Sequence, residues 1–484
     1  MASSRDILRQ LDESPLSSFH WKTVITSGMG FFTDAYDLFI IGVVISILRP
    51  LWHPSALDVS LLGSTALISA ALGSIIFGRL ADMLGRKFVY GYELLVLAAG
   101  AIASALSPSI IWLLIFRFVL GLGIGGDYPV SATLMSEFSN RHDRGKLITL
   151  VFSTQALGLI VGPLIAIILL SSGVNQDLIW RLMLAFGAVP ALATFYLRRQ
   201  IAESPRFALA AGNAQGVAEA VARAMQQTYS GNVEKDTGTL MNKGTRSPVV
   251  SQQLSPPEPQ KRSLLDLLQT PYFLIWLAGT AGTWFLLDIA YYGTTVSTPI
   301  VLKLLDSHAS LITNMFYTLL IFVVAALPGY IASAFTVDRI GRKKIQLFGF
   351  AMMALSYGVL FLFPVLTTIT VPFLLAYGLS YFFTEFGPNV TTFVYPAEIF
   401  PVQVRTTAHG ISAAVGKVGA FIGAFVFPIL LSSVRLPGAM GFAAIVSLAG
   451  FLLTFILPEP DTKSLEAIEQ EGEQLDEEIK EKVG

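Results

Sequence analysis

The segment Gly78-Arg-Leu-Ala-Asp-Met-Leu-Gly-Arg-Lys87 returns later in the chain as Thr336-Val-Asp-Arg-Ile-Gly-Arg-Lys343. Both copies carry an aspartate four positions before an arginine, and both lie between long apolar runs. Asp338 follows Asp82 by 256 positions (338 − 82 = 256). We refer to the two copies as motif 1 and motif 2.

A second pattern repeats at nearly the same distance. Glu137 stands seven positions before Arg144, and Glu398 stands seven positions before Arg405. Glu398 follows Glu137 by 261 positions (398 − 137 = 261). Two unrelated patterns that repeat at nearly the same offset indicate a duplicated half, which is a common plan of membrane carriers.

The composition is that of a membrane protein. Hydrophobic residues make up 53% and charged residues 13% of the 484 positions, and the mean hydropathy is +0.64. A soluble protein carries roughly 25% charged residues, and a helix needs about 20 apolar residues to cross the hydrocarbon core. We therefore predict an all-α membrane protein with twelve transmembrane helices in two pseudo-symmetric six-helix bundles. The predicted spans are 24–48, 59–80, 88–107, 110–136, 147–170, 180–197, 272–302, 310–335, 345–365, 369–396, 406–432 and 436–457.

These spans divide the chain into five predicted regions. They are an N-terminal segment (1–23), two bundles (24–197 and 272–457), a polar linker (198–271) and an acidic tail (458–484). Lys and Arg are concentrated in the loops on the side of both termini, which the positive-inside rule assigns to the cytoplasm. The polar first twenty residues predict no cleavable signal peptide. We expect a multi-pass protein of the plasma membrane that acts as a monomer.

Several classes of function lack the residues that they need. The chain has no cysteine, and His409 is the only histidine within a predicted span. Neither a metal site nor a catalytic triad is therefore expected. The sequence has no basic stripe that would bind nucleic acid, and the net charge of −1 does not bear on the question. We predict a protein that contacts lipid, uses no cofactor and is not an enzyme.

Charged side chains within the spans are the main functional candidates. A charge at the bilayer centre costs about 2.5–3.5 kcal/mol on insertion scales, so it faces a protein interior or a wet cavity. The acids are Asp34, Asp37, Glu93, Asp127, Asp288 and Glu385, and the cations are Arg117 and Lys417.

Asp34 and Asp37 are three positions apart and share one face of the first predicted span. Two neighbouring carboxylates in a low-dielectric site cannot both ionise cheaply, so we expect at least one of them to bind and release a proton. The alternative is a pair fixed by Arg117 or Lys417, which would not titrate usefully.

Neutral polar groups accompany these charges. Trp284, Asp288 and Tyr292 follow one another at intervals of four residues and form one polar stripe of a helix. The stripe is either part of a binding site or a packing seam between helices. A phenol and two amides on other spans either bind substrate or join helices; they are Tyr128, Gln155 and Asn389.

The acids of the repeated patterns suggest a latch. Charge pairs between the loops would hold the two bundles together on the cytoplasmic side while the carrier is open outward, and their rupture would permit inward opening. The alternative, loop charge that only sets orientation, explains the basic residues but not the acids. The predicted latch residues are Asp82, Arg86, Glu137, Arg144, Asp338, Arg342, Glu398 and Arg405.

Four segments resemble the major facilitator superfamily, near its sugar-porter branch: motif 1, Arg117 with Gly121-Leu-Gly-Ile-Gly125, Glu203-Ser-Pro-Arg206 and Pro396-Ala-Glu-Ile-Phe-Pro401. One departure is Ala202, where that branch usually has proline. Three narrower segments resemble the proton-coupled inorganic phosphate symporters of fungi and plants: Gly125-Gly-Asp-Tyr-Pro-Val-Ser-Ala-Thr133, Phe32-Thr-Asp-Ala-Tyr-Asp37 and Gly387-Pro-Asn389.

The resemblance implies symport of inorganic phosphate and protons by alternating access. The phosphate-contacting positions that it implies are Tyr128, Gln155, Trp284, Asp288, Tyr292 and Asn389. Those that it implies for proton transfer and charge relay are Asp34, Asp37, Asp127, Arg117 and Lys417.

Two alternatives remain. One is a proton-coupled sugar or organic-ion transporter on the same scaffold, although a sugar site would hold more amides and fewer acids. The other is a phosphate receptor with little flux, against which the absence of a recognisable signalling module counts.

Overall fold

The computed structural model describes residues 12–199, 201, 203–210, 268–305, 309–460 and 463–483. These residues form helices and connecting turns, with no strand among them, which confirms the all-α prediction. The first half contains α1 (Ser18–Trp52), α2 (Ala56–Leu84), α3 (Arg86–Val89), α4 (Tyr92–Ala105), α5 (Ile110–Phe138), α6 (Arg144–Ser153), α7 (Gln155–Ser171), α8 (Gln176–Phe186) and α9 (Ala188–Arg198), followed by α10 (Pro205–Ala210). The second half contains α11 (Pro271–Leu305), α12 (Leu311–Ile321), α13 (Leu327–Ile340), α14 (Arg342–Leu362), α15 (Thr370–Phe386), α16 (Pro388–Ile399), α17 (Arg405–Ser433) and α18 (Arg435–Thr454), followed by α19 (Leu465–Val483).

Eleven helical stretches within the described ranges are long and apolar enough to cross a membrane. The predicted tenth span, 369–396, is divided at Gly387 into α15 and α16. Pro388 causes this break because it has no N–H for the helical ladder and occupies the first turn of α16. Gly387 is required by close packing, since a Cβ there would lie 2.5 Å from the Cα of Gly349. Most of the predicted linker, residues 211–267, lies outside the described residues.

Each motif ends one helix and begins the next through a glycine. Gly85 separates α2 from α3 with a φ of 100°, and Gly341 separates α13 from α14 with a φ of 93°. Residues with a Cβ rarely adopt such values. The turn at Gly85 brings Asp82 and Arg86 together, and Arg86 Nη2 lies 3.1 Å from Asp82 Oδ1.

The two halves meet along two sets of helices. α2 packs on α17, and α6 and α7 pack on α13 and α12. Side chains on the outer surface of the spans are apolar and exposed, as with Ile111 at 69% and Ile445 at 70%, which is the surface that a lipid bilayer covers. We call the end of the molecule that carries motifs 1 and 2 the motif side, and the end that carries Arg49 and Lys303 the far side.

Candidate functional site

Lys417 of α17 is a cation buried between the two halves. Its side chain is 2% exposed, and its ammonium donates to Asp288 Oδ2 at 3.1 Å and to the Tyr292 hydroxyl at 3.0 Å. The ammonium also lies 4.5 Å from the ring centroids of Tyr128 and Tyr292. Tyr128 belongs to α5 of the first half, so this cation is in contact with both halves.

The polar stripe of α11 faces this centre. Trp284 lies one turn before Asp288, and its ring packs 6.0 Å from that of Tyr128 and 5.6 Å from that of His409. Gly416 of α17 makes room for the indole, because a Cβ there would lie 2.6 Å from the ring. The stripe therefore lines the interface between the halves and does not face lipid.

A chain of hydrogen bonds continues from Tyr128 into the second half. Gln155 Nε2 of α7 donates to the Tyr128 hydroxyl at 3.3 Å, and the Tyr330 hydroxyl of α13 donates to Gln155 Oε1 at 3.0 Å. Asn389 Nδ2 of α16 lies 2.8 Å from the Tyr330 hydroxyl and 2.5 Å from Glu385 Oε2. The structure thus joins all six residues with implied phosphate contacts into one cluster, together with Tyr330 and Glu385.

Asp34 and Asp37 of α1 are fully buried, and all four carboxylate oxygens lack a hydrogen-bond partner among the described residues. Lys417 is paired with Asp288 and not with either of them. Arg117 of α5 donates to the backbone carbonyl of Asp37 at 3.3 Å, but not to its carboxylate. Neither carboxylate therefore forms a direct ion pair with Arg117 or Lys417.

Asp127 has a different environment. Arg198 at the end of α9 binds both of its oxygens, at 2.7 and 3.0 Å, and also binds Glu93 Oε1 of α4 at 2.7 Å. The same guanidinium lies 4.3 Å from the ring centroid of Tyr90. Sequence interpretation placed residue 198 at the start of the linker, whereas it is the last residue of a helix and fully buried.

The latch residues around motif 1 connect the two halves. Asp82 Oδ2 accepts from the backbone N–H and the hydroxyl of Thr407 in the first turn of α17, each at 2.6 Å. Glu137 pairs with Arg86 of its own half and with Arg405 of the second half, each at 3.2 Å. These contacts involve four of the predicted latch residues: Asp82, Arg86, Glu137 and Arg405.

Around motif 2, Asp338 accepts from the N–H groups of Gly145 at 3.1 Å and Lys146 at 2.7 Å in the first turn of α6. Arg342 binds Glu398 through Nε and Nη2, both at 2.9 Å. Arg144, the counterpart of Arg405, lies 3.4 Å from Asp12.

The segments that flank the halves contribute to this end of the molecule. Asp12 pairs with Arg206 of α10 at 2.6 Å, and Arg206 also pairs with Glu466 of α19. Burial tends to raise the pKa of Glu466, but the guanidinium of Arg206 lowers the pKa of that carboxyl below its ordinary value. Arg144 donates to the carbonyl of Lys463 at 3.1 Å. The tail helix is thereby attached to the first half.

Two acids that sequence reasoning missed hold the motif turns. Glu203 accepts from the N–H of Lys87 at 3.1 Å, and Glu459 accepts from those of Arg342 and Lys343, both at 3.0 Å. Glu459 follows Glu203 by 256 positions (459 − 203 = 256), which is the offset of the motifs themselves. That offset was the signal that could have found this pair.

A cavity of about 320 Å³ opens between the halves on the far side, and its lining includes Arg49 and Lys303. A space of about 20 Å³, which is room for roughly one water molecule, shares Val296 with it and is lined by Gln155 and Tyr292. The described residues hold no group of three or more His, Asp and Glu side chains placed for a metal ion. An open cavity therefore separates the halves on the far side, whereas on the motif side the halves are in contact.

Comparison with known proteins gives a consistent result. The family model "Sugar (and other) transporter" matches residues 19–471. "Probable inorganic phosphate transporter 1-6" of Arabidopsis thaliana is 36% identical, over 99% of this chain and 98% of that protein. "Inorganic phosphate transporter 1-11" of Oryza sativa subsp. japonica is 37% identical, over 97% of this chain and 91% of that protein. A solved structure of the proton:xylose symporter XylE, of the major facilitator superfamily, superposes with a TM-score of 0.76 at 20% identity and covers 94% of this chain and 99% of that one. The likeness to XylE is evidence for the fold.

Proposed function

The chain belongs to the family of sugar and other transporters, and on this premise we propose that it carries inorganic phosphate together with protons across a membrane by alternating access. The observation that carries the proposal is the pairing of Lys417 with Asp288 between the two halves. The phosphate transporters of Arabidopsis, rice and Medicago truncatula, each at least 36% identical to this chain, support the choice of substrate.

The pair ties anion binding to proton binding. Phosphate that reaches Lys417 competes with Asp288 for the ammonium, and the released carboxylate would repel the anion across a short distance in a low-dielectric site. Repulsion is removed when Asp288 takes up a proton or when a phosphate hydroxyl donates to it. Either route makes a proton a requirement for phosphate binding, and loss of that proton promotes phosphate release.

The surrounding groups suit an oxyanion. Tyr128, Gln155, Trp284, Tyr292 and Asn389 offer hydroxyl, amide and indole donors to phosphate oxygens. We assign proton exchange between Asp288 and the two sides of the membrane to Asp34 and Asp37, whose carboxylate oxygens have no described partner. Arg117 and the Asp127–Arg198 pair contribute to the electrostatic potential around these two acids.

The conformation supports alternating access. Contacts of motifs 1 and 2 hold the motif side closed, while a cavity is open on the far side. We assign the motif side and both termini to the cytoplasm and the far side to the outside, and we place the protein in the plasma membrane as a monomer. The state described here is then the outward-facing one.

Uptake by proteoliposomes tests this function. Purified protein should accumulate radiolabelled phosphate under an imposed inward proton gradient, and excess glucose should not compete. Asp288→Asn should abolish accumulation driven by the gradient. The matched control is Asp177→Asn on the far side, because this carboxylate is 48% exposed and outside the cluster; its uptake should stay within about twofold of the parent, as is usual for surface changes. Asp288→Asn with unchanged gradient-driven accumulation would contradict the proposal.

A further inference from the structure

Glu385 of α15 is a buried carboxylate that the proposed mechanism leaves unused. It is 0% exposed, its Oε2 accepts from Asn389 at 2.5 Å, and its Oε1 has no hydrogen-bond partner among the described residues. None of the ion pairs formed by the described part of the chain includes it. Its closest hydrogen-bond partner in the described structure is therefore a neutral amide.

The groups around Glu385 are not cationic. The titratable side chains that face it are three phenols on three neighbouring helices: Tyr291 of α11, Tyr330 of α13 and Tyr357 of α14. On its other side, a Cβ added to Gly329 of α13 would lie 3.1 Å from the Glu385 Cβ. Phenols are uncharged near neutral pH, so the described titratable side chains that face this carboxylate do not compensate a negative charge.

Glu385 is nevertheless connected to the proposed phosphate site. Asn389 bridges it to the Tyr330 hydroxyl, and Tyr330 donates to Gln155. Gln155 in turn donates to Tyr128, whose ring lies against the Lys417 ammonium. The carboxyl is thus one end of a hydrogen-bond chain whose other end is the central cation.

A route for protons is also present. Tyr291 faces Glu385 and lines the space of about 20 Å³ beside the polar cluster. That space shares Val296 with the cavity on the far side. One water molecule in it would link the carboxyl to the open side through the Tyr291 hydroxyl.

We propose that Glu385 is a second proton-binding site of the transport cycle, which takes up one proton in addition to the proton required at Asp288. An isolated carboxylate in a membrane interior is expensive, and an anion bound to the same hydrogen-bond chain adds repulsion. Glu385 therefore binds its proton while phosphate occupies the outward-facing site. It releases the proton when the motif side opens and water reaches it.

This inference rests on the proposed phosphate symport, and the number of protons carried per phosphate tests it. Glu385→Gln keeps the shape and an acceptor for Asn389 but cannot titrate. Each proton multiplies the limiting accumulation of phosphate by about ten for a gradient of about one pH unit. We expect Glu385→Gln to transport phosphate with one proton fewer and to accumulate about tenfold less. Glu385→Asp, which can titrate, should restore the parental ratio.

Two controls make the result decisive. Thr384→Val changes a buried, non-titratable neighbour on α15 whose hydroxyl donates to the carbonyl of Ser380, and it should keep the parental ratio. If Glu385→Gln does not transport, the protons taken up when phosphate is added to purified protein in detergent are counted with a pH indicator, and one fewer is expected. A parental ratio in Glu385→Gln, or equal proton uptake on binding, overturns the inference. Failure of the unchanged protein to accumulate phosphate would instead overturn the symport proposal.

Discussion

Motif 1 and motif 2 share a sequence pattern and a turn, yet they hold the opposite half in different ways. Around motif 1 the ion pairs cross between the halves, because Glu137 binds Arg86 on its own side and Arg405 on the other. Arg86 also donates to the carbonyl of Val402 in the second half at 2.8 Å. The closure at motif 1 therefore includes an ion pair between side chains of the two bundles.

Around motif 2 the ion pair with the glutamate stays within one half. Glu398 is bound by two nitrogens of Arg342, and Arg144 is directed to Asp12 and to the carbonyl of Lys463. Asp338 crosses between the halves to two backbone N–H groups of α6, and the Lys146 ammonium lies 5.9 Å from the ring centroid of Phe335. Closure at motif 2 therefore uses a helix terminus and segments that flank the bundles.

The duplicated halves share the contacts of the motif aspartates but differ in the partners of the arginines. Asp82 and Asp338 both accept backbone N–H groups in the first turn of a helix of the other half, α17 and α6, where the helix dipole favours an anion. The arginine partners differ: Arg144 binds Asp12 and the carbonyl of Lys463, whereas Arg405 binds Glu137.

The largest expected effect is that of Glu137→Gln. The substitution leaves Arg86 and Arg405 buried without their shared carboxylate, and breaking a buried ion pair costs about 3–5 kcal/mol. We expect the motif side to open. Because the chain has no cysteine, Thr406→Cys can report this opening by its rate of reaction with a maleimide: residue 406 is fully buried and its hydroxyl has no described partner.

The matched control for this substitution is Glu398→Gln in the other copy. Its carboxylate is equally buried but pairs within one half, so it should lower thermal stability while changing Thr406→Cys labelling by less than about threefold. Glu137→Gln should raise that rate at least about tenfold, which corresponds to about 1.4 kcal/mol of the expected cost. Equal labelling rates in the two variants would remove the distinction between the motifs.

An intermediate effect is expected from Asp338→Asn compared with Asp82→Asn. Asp338 uses one oxygen for each of two N–H groups, so an amide can satisfy only one of them, whereas Asp82 uses Oδ2 alone for both contacts with Thr407. An unsatisfied buried N–H costs about 1–3 kcal/mol. Asp338→Asn should therefore weaken the contact between Asp338 and α6 more than Asp82→Asn weakens the contact between Asp82 and α17. The first effect is measured by maleimide labelling of Thr149→Cys in α6, and the second by labelling of Thr406→Cys. Greater opening at Thr406→Cys in Asp82→Asn would contradict this reasoning.

Sequence reasoning predicted the groups whose chemistry is unusual in a membrane. Charged residues inside apolar spans identified Asp288 and Lys417, and helical spacing placed Trp284 and Tyr292 on one polar face, because burial in lipid restricts where such side chains can lie. The offset of the duplicated patterns predicted Asp82 and Asp338 as counterparts. The all-α fold followed from composition and the lengths of the apolar runs.

What sequence reasoning missed depends on contacts between distant segments. Tyr330 carries no charge and has no local pattern, yet it connects Gln155 with Asn389 from a third helix. Arg198 ends an apolar span, so the sequence alone allows it to face solvent; its two acids come from α4 and α5. Such partners are determined by how helices pack, which one sequence does not specify.

The smallest expected effect concerns the tail helix. Glu466 pairs with Arg206 of α10, and its side chain is 49% exposed, so Glu466→Gln should lower stability by only about 0.2–1 kcal/mol. Because the pKa of Glu466 is lowered in the folded protein, this contribution is present above the ordinary carboxyl pKa and is lost as the pH falls through the lowered value. The thermal midpoints of the parent and the variant should therefore differ at pH 7 and converge at the acidic end.

Glu478→Gln is the control for this last comparison, since Glu478 is exposed on the same helix and belongs to none of the ion pairs of the described residues given above. The control should leave the labelling rate of Thr149→Cys unchanged. Glu466→Gln should raise that rate by less than about twofold. The reason is that Glu466 contacts Arg206, which pairs with Asp12, and Asp12 lies beside Arg144 next to motif 2. Neither variant should affect Thr406→Cys, because Glu466 forms its ion pair with Arg206 and Glu137 forms its ion pairs with Arg86 and Arg405. A rise at Thr406→Cys in Glu466→Gln would mean that the tail holds both motifs, and the asymmetry between them would then come from the arginines and not from the flanking segments.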